Sequence, residues 1–202
     1  ETIKQSGWQL VGLATGQRLI AVYVLEDSLK EEADNLVKTF AKLEIECLML
    51  SGDREEAVLH ANRKLGFAAK NVYANCLPSD KARVIQTFQE KGLKVAFVGD
   101  GINDAPSLAQ ADLGIAVAAA SDIAKATADI HLINSDIQTI PKAITLARQT
   151  LRTIKQNLFW AFFYNVAAIP LAALGFLNPM VCAATMGLSD LVVVINSIRL
   201  AK

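Results

Sequence analysis

Short apolar runs alternate along the first part of the chain with stretches whose apolar positions recur every three or four residues. Two runs, 10–14 and 19–25, flank the polar ATGQR and predict an antiparallel pair of strands. A helical pattern over 28–43 leads to a buried strand at 45–50 (IECLML), and a second over 54–65 stops at Gly66. A short strand at 72–74 precedes a helix that opens at Pro78-Ser79-Asp80, runs to about Lys91 and ends at Gly92. Then come a strand at 94–98, a helix at 105–111, a strand at 113–117, a helical turn at 123–128 and a strand at 130–133. Asp136 then caps a further helix. Strand–helix alternation of this kind implies an α/β fold, a parallel sheet with helices on both faces. In such sheets ligands gather beyond the carboxyl ends of the strands.

The pattern changes near the end. Between Gln156 and Ile198 the one charged residue is Asp190. The stretches 158–177 and 179–198 are each long enough to cross a hydrocarbon core of about 30 Å as a helix. GFLNP at 175–179 supplies the turn between them. A buried hairpin in a soluble protein is the other reading of so apolar a pair. Arg148, Arg152 and Lys155 precede the first stretch, and Arg199 and Lys202 follow the second. A transmembrane hairpin with both outer ends in the cytoplasm would satisfy that charge placement.

Composition narrows the classes. Lys+Arg and Asp+Glu balance at 20 each, which removes any global electrostatic case for nucleic acid. Cys47, Cys76 and Cys182 are too scattered for a disulfide framework or a paired-cysteine metal site. The chain has 202 residues and begins at Glu1, as expected of a piece of a longer protein.

The chemistry lies at the strand ends. After Leu50 comes Ser51-Gly52-Asp53, and after Val98 comes Gly99-Asp100-Gly101-Ile102-Asn103-Asp104. Asp100 and Asp104 could be simple helix caps. That reading does not explain two acids with Asn103 and two glycines among them. Carboxylate and amide oxygens suit Mg²⁺, which keeps several waters and bridges protein to phosphate. Ser51 offers a hydroxyl to a phosphate oxygen. Lys81, just inside a helix start, is either a solvated surface lysine or a counter-charge for phosphate.

SGD, then PSDKARVIQTFQEKGLKVAFVGDGINDAPSLAQADLGIAV, then NLFWAFFYN and MGLSD…NSIRL, resemble the C-terminal part of a P-type cation-transporting ATPase. The heavy-metal branch is the nearest in pattern. The resemblance implies a haloacid-dehalogenase-like phosphorylation domain over 26–147, the end of a nucleotide-binding domain over 1–25, and the last two transmembrane helices over 148–202. Glu26-Asp27 would be the hinge back into the phosphorylation domain. It implies that Asp100 and Asp104 hold Mg²⁺, with Asn103 helping, and that Lys81 neutralises phosphoryl charge. Ser51, Gly52 and Asp53 would line the phosphoryl group, Ser51 standing where the family usually has Thr. ATP is the implied substrate. The family's phosphoacceptor Asp, in its DKTG setting, is not in this sequence, so the chain alone is expected to be inactive. No role is carried onto Ala118-Ala119-Ala120, which replaces a Gly-Thr-rich stretch.

On the second apolar stretch Met186, Ser189 and Asp190 are spaced i, i+3 and i+4, with Cys182 one turn earlier, so they share a helical face. Such a stripe is either helix-packing glue or an ion path. On the first stretch Tyr164-Asn165 precedes Pro170. Copper pumps pair a Tyr-Asn here with a Met-x-x-Ser-Ser motif on the next helix. The resemblance therefore implies a transport site for Cu(I) at Tyr164, Asn165, Met186 and Ser189. Asp190 replaces the second Ser, and a carboxylate suits Zn²⁺ or a harder ion better. The expected partners are the cargo ion, membrane lipid and the remaining pump domains. Two other readings are a membrane-tethered phosphatase of the same fold and a non-catalytic product that pairs with an intact pump.

Overall fold

The computed structural model describes residues 9–25, 29, 33–100, 102–134, 136–175 and 178–201; the side chains of 9, 10, 25, 164, 167, 179, 181–185, 188 and 201 lie outside it. The expected hinge at Glu26-Asp27 therefore falls outside the described residues. The chain divides into two compact units, Glu1–Thr139 and Ile140–Lys202.

The first unit opens with the hairpin β1 (Gln9–Thr15) and β2 (Arg18–Leu25), paired antiparallel. Helix α1 (Ala33–Lys42) follows, then β3 (Met49–Leu50), α2 (Glu55–Leu65), β4 (Val72–Tyr73) and α3 (Pro78–Glu90). After these come β5 (Ala96–Gly99), α4 (Ala105–Gln110), β6 (Leu113–Ala116), α5 (Asp122–Thr127) and β7 (Ile130–His131). Gly66 ends α2 at φ 78°, a left-handed conformation that costs a residue without Cβ little.

The strand ladders are parallel, but the expected single sheet is divided. β3 pairs with β4, and β5–β6–β7 form a separate three-stranded sheet. The strand expected over 45–50 is also shorter. Glu44 sits at φ 59° as the chain leaves α1, and the Ile45 N–H bonds back to the Phe40 carbonyl. The Cys47 carbonyl and the Glu46 carboxylate then accept from the Asn71 amide at 3.2 and 2.9 Å. The segment's polar groups are spent on a turn and a side chain, so only Met49 and Leu50 remain for the ladder.

One buried cluster of this unit sets a leucine among alanines. Leu108, Ala116, Ala120 and Ala124 pack together, with Phe97, Val117 and Ala128 against them. Helix α4 lies on β5 and β6, and α5 on β6. That packing holds the C-terminal end of β5 against the start of α4.

The second unit is built on α6 (Thr139–Ala173) and α7 (Pro179–Ile198). The expected first apolar helix is not separate: it continues the charged helix before it, with Pro170 inside, and ends at Ala173 rather than 177. The described residues leave the expected transmembrane hairpin unconfirmed. Among the described residues no helix is long and apolar enough to cross a membrane. The first half of α6 is charged.

Candidate active site at the strand ends

Both expected loops sit where strands of the parallel ladders end. β3 runs into Ser51-Gly52-Asp53, and β5 runs into Asp100. Helix α3 places Lys81. It starts with Pro78, whose missing N–H is no loss in a first turn, and the Asp80 carboxylate accepts from the Leu77 N–H at 3.0 Å.

Lys81 is not a solvated lysine. Its Nζ donates to Asp104 Oδ1 at 2.7 Å, with side-chain exposures of 14% and 11%. Asp104 is not a side-chain cap either: it stands before α4, but its carboxylate makes no capping bond. Its Oδ2 accepts from the Asp100 N–H at 3.3 Å. One buried carboxylate thus ties α3 to the end of β5. Gly99 permits this, since a Cβ there would lie 2.8 Å from Asp104 Cβ and 2.9 Å from Oδ2. The Asp100 carbonyl accepts from the Ser121 N–H at 3.0 Å, while the Asp100 side chain is exposed. Asn103 is exposed in a 3-10 turn, Ile102–Asp104.

The Ser51 loop is self-braced. Ser51 Oγ donates to Asp53 Oδ2 at 2.9 Å and accepts from the Asp53 N–H at 3.1 Å. Its backbone is pinned by the loop after β4: Ser51 N–H to the Tyr73 carbonyl at 2.9 Å, Cys76 N–H to the Ser51 carbonyl at 2.9 Å, and Asn75 N–H to the Asp53 carbonyl at 2.8 Å. Burial pushes the Cys76 thiol above its ordinary value; Asp80 adds to this and Lys81 opposes it. The segment from Cys76 to Lys81 thus touches both loops, through the Cys76 N–H on the Ser51 carbonyl and through Lys81 on Asp104. Gly52 and Asp53 are exposed there.

Three residues of this arrangement had no role in the sequence reading: Asn75, Cys76 and Ser121. Asn75 carried one signal, an Asn after a strand, where left-handed backbone is common; its φ is 53°. Ser121 carried another, Ser-Asp before an apolar helical turn, and its Oγ does cap α5 by accepting from the Ala124 N–H at 3.2 Å.

As a cation site the loop after β5 offers the exposed carboxylate of Asp100 beside that of Asp104, which is paired with Lys81, and the Ser51 loop adds the exposed Asp53. Among the described residues no group of three or more His, Cys, Asp or Glu could hold a metal. Few protein oxygens with room for water and phosphate is the donor set that suits Mg²⁺.

The residues expected to meet a transported ion are less gathered. The Tyr164 and Cys182 side chains lie outside the described residues. Asn165 donates to its own helix, to the Ala161 carbonyl at 2.9 Å. Met186 and Asp190 are exposed and Ser189 half-buried on the continuous α7. Among the described residues no hydrogen bond joins Asn165 to them.

The fold is thus a parallel α/β ladder with acids, a buried lysine and a hydroxyl at its strand ends. A family model for haloacid dehalogenase-like hydrolases matches residues 6–112, and the chain belongs to that family. It is 39% identical over 99% of its length to the probable copper-importing P-type ATPase A of Enterococcus hirae, covering 28% of that protein. It is 43% identical over 94% of its length to a copper-exporting P-type ATPase of Staphylococcus aureus, covering 23% of it. Among solved structures it matches a zinc-transporting PIB-type ATPase in its E2.Pi state, with TM-score 0.86 and 26% identity, over 100% of this chain and 33% of the other. The chain thus spans a third or less of the length of these relatives.

Proposed function

We propose that the chain is the C-terminal part of an ATP-driven heavy-metal pump that works through an aspartyl-phosphate, with Cu(I) as cargo. In this reading 1–25 closes a nucleotide-binding domain, 26–147 is the phosphorylation domain, and 148–202 forms the last two membrane helices with both ends cytoplasmic. The observation that carries the proposal is the buried Lys81–Asp104 pair beside the exposed Asp100 at the end of β5.

The residues divide the work by charge. Lys81 holds a fixed positive charge at the strand ends, where a transferred phosphoryl group spreads negative charge over its oxygens. The Gly52 N–H orients that group, and so does the Ser51 hydroxyl once its single proton turns from Asp53 Oδ2, which it meets at 2.9 Å, to a phosphoryl oxygen. Asp100 and Asp104, with Asn103 nearby, would hold Mg²⁺, which supplies further neutralisation of phosphate charge. The nucleophile is absent from these 202 residues, so the chain by itself is inactive. Among the described residues β3 and β5 share no ladder, which leaves edges that a strand carrying the phosphoacceptor can join.

Cu(I) as cargo is supported by the names of the two relatives and by the soft thioether of Met186. A second reading, Zn²⁺, is favoured by the carboxylate of Asp190 and by the zinc-transporting structural neighbour. The test is ATP hydrolysis in detergent by the form of the protein that carries its phosphoacceptor. Stimulation by Cu(I) that is lost in Met186→Ala supports the copper pump. Stimulation by Zn²⁺ alone, lost in Asp190→Ala, replaces the cargo. No stimulation by either metal overturns the pump.

A further inference from the structure

Arg148, Arg152 and Lys155 stand at i, i+4 and i+7 on α6, so their stems share one face. With Phe159 and Trp160, one further turn along, they line an open groove of about 540 Å³ whose described lining contains no carboxylate. All five side chains are exposed. The rings form a packed set: Trp160 meets Phe159 edge-on at 5.6 Å and Phe163 at 6.0 Å, and Phe159 stacks on Phe163 at 5.8 Å.

A solvated basic face explains the three cations but not the rings at its foot. Phe159, Trp160 and Phe163 are 59%, 50% and 55% exposed, a large apolar surface to leave in water. Their order along the helix is the order of a membrane interface: cations first, aromatic rings next, then the apolar stretch. Lys155 and Trp160 are five residues apart, about 7.5 Å of helix rise. The headgroup layer on each side of a hydrocarbon core is about 5–8 Å thick. With Trp160 at the interface level, where Trp concentrates, Lys155 and Arg152 reach the phosphates.

We infer that this groove seats the phosphate headgroup of an anionic phospholipid in the leaflet that α6 enters. The inference rests on the proposed membrane placement of the apolar stretch after residue 157. An acidic protein segment would meet the cations but leave the three rings in water, so lipid accounts for more of the surface.

The test uses the full chain with Trp8→Phe, which leaves Trp160 as the sole tryptophan. Its fluorescence is followed on titration with vesicles of phosphatidylcholine alone or mixed with phosphatidylglycerol. The expected result is salt-sensitive, tighter partition to the anionic vesicles. Each cation removed should weaken that preference about fivefold. Arg152→Gln/Lys155→Gln should lose it about 25-fold with partition to neutral vesicles unchanged, and Arg152→Lys should retain it. Equal partition of the parent chain to both vesicle types overturns the headgroup site and leaves the membrane helix standing. A Trp160 signal that stays aqueous with both overturns the membrane placement and the site with it. A response to inorganic phosphate alone that equals the vesicle response overturns lipid as the occupant.

Discussion

Lys81 and Asp104, 23 residues apart in sequence, face each other at 2.7 Å with both side chains nearly buried. The pair decides two questions at once. It removes Asp104 from helix capping and Lys81 from solvent, and it leaves Asp100 as the exposed acid of the loop after β5.

Removing one member of such a pair strands the other charge in a low-dielectric place. Lys81→Met and Asp104→Leu are each expected to lower the free energy of unfolding by about 3 kcal/mol in urea titrations. The double variant should lose clearly less than the sum, because no buried charge is then left. Strict additivity would mean that the two side chains do not interact.

Gly99 carries a steric prediction. In Gly99→Ala the new methyl meets Asp104 Cβ at 2.8 Å and Phe97 Cε1 at 2.9 Å, so Asp104 must move. The expected cost is about 1–3 kcal/mol. Mg²⁺ should also raise the melting temperature of this variant less than that of the parent. An unchanged Mg²⁺ response would separate Asp104 from the cation.

In the second unit the Asn196 amide donates to Asn157 Oδ1 at 2.8 Å, and Asn157 Nδ2 donates to Ser197 Oγ at 3.0 Å. These bonds join α6 to α7 across 39 and 40 residues of sequence. A double-mutant cycle of Asn157→Ala and Asn196→Ala is expected to show a coupling of about 0.5–1.5 kcal/mol. A coupling of zero would leave the helix pair without a polar clasp there.

Asp112 makes a pH prediction. The Lys94 ammonium at 2.7 Å, then the Val95 N–H at 3.0 Å and the Gln89 amide at 3.1 Å, hold its carboxyl well below the ordinary 3.8. Because the folded value is depressed, its stabilisation is present above the unfolded value and is lost as pH falls through the folded one. Asp112→Asn should therefore melt lower than the parent at neutral pH. The gap should close as pH falls below 3.8. A gap that is constant down to the acid transition would contradict this account.

Much of the fold was legible because its punctuation is local. The stop at Gly66 and the start at Pro78 depend on φ limits and a missing donor within a few residues. The strand at 45–50 was overestimated because its apolar run gave no hint that Asn71, more than twenty residues away, claims the Cys47 carbonyl. The candidate site was legible as a set of residue types at strand ends. Its bracing by Asn75, Cys76 and Ser121 was not, since those bonds are made by backbone groups that every residue carries.

By itself the sequence determined the alternation that makes a parallel ladder, the loops that end its strands, and the charge-poor tail. Periodicity, turn chemistry and charge act over one or two helical turns and need no knowledge of distant neighbours. Only the tertiary structure decided which acid is buried with Lys81, that the ladder falls into two sheets, and that Asn196 of α7 meets Asn157 of α6. Each of these depends on where separate backbone segments or exposed faces come to lie in space, and no short window of residues encodes that distance.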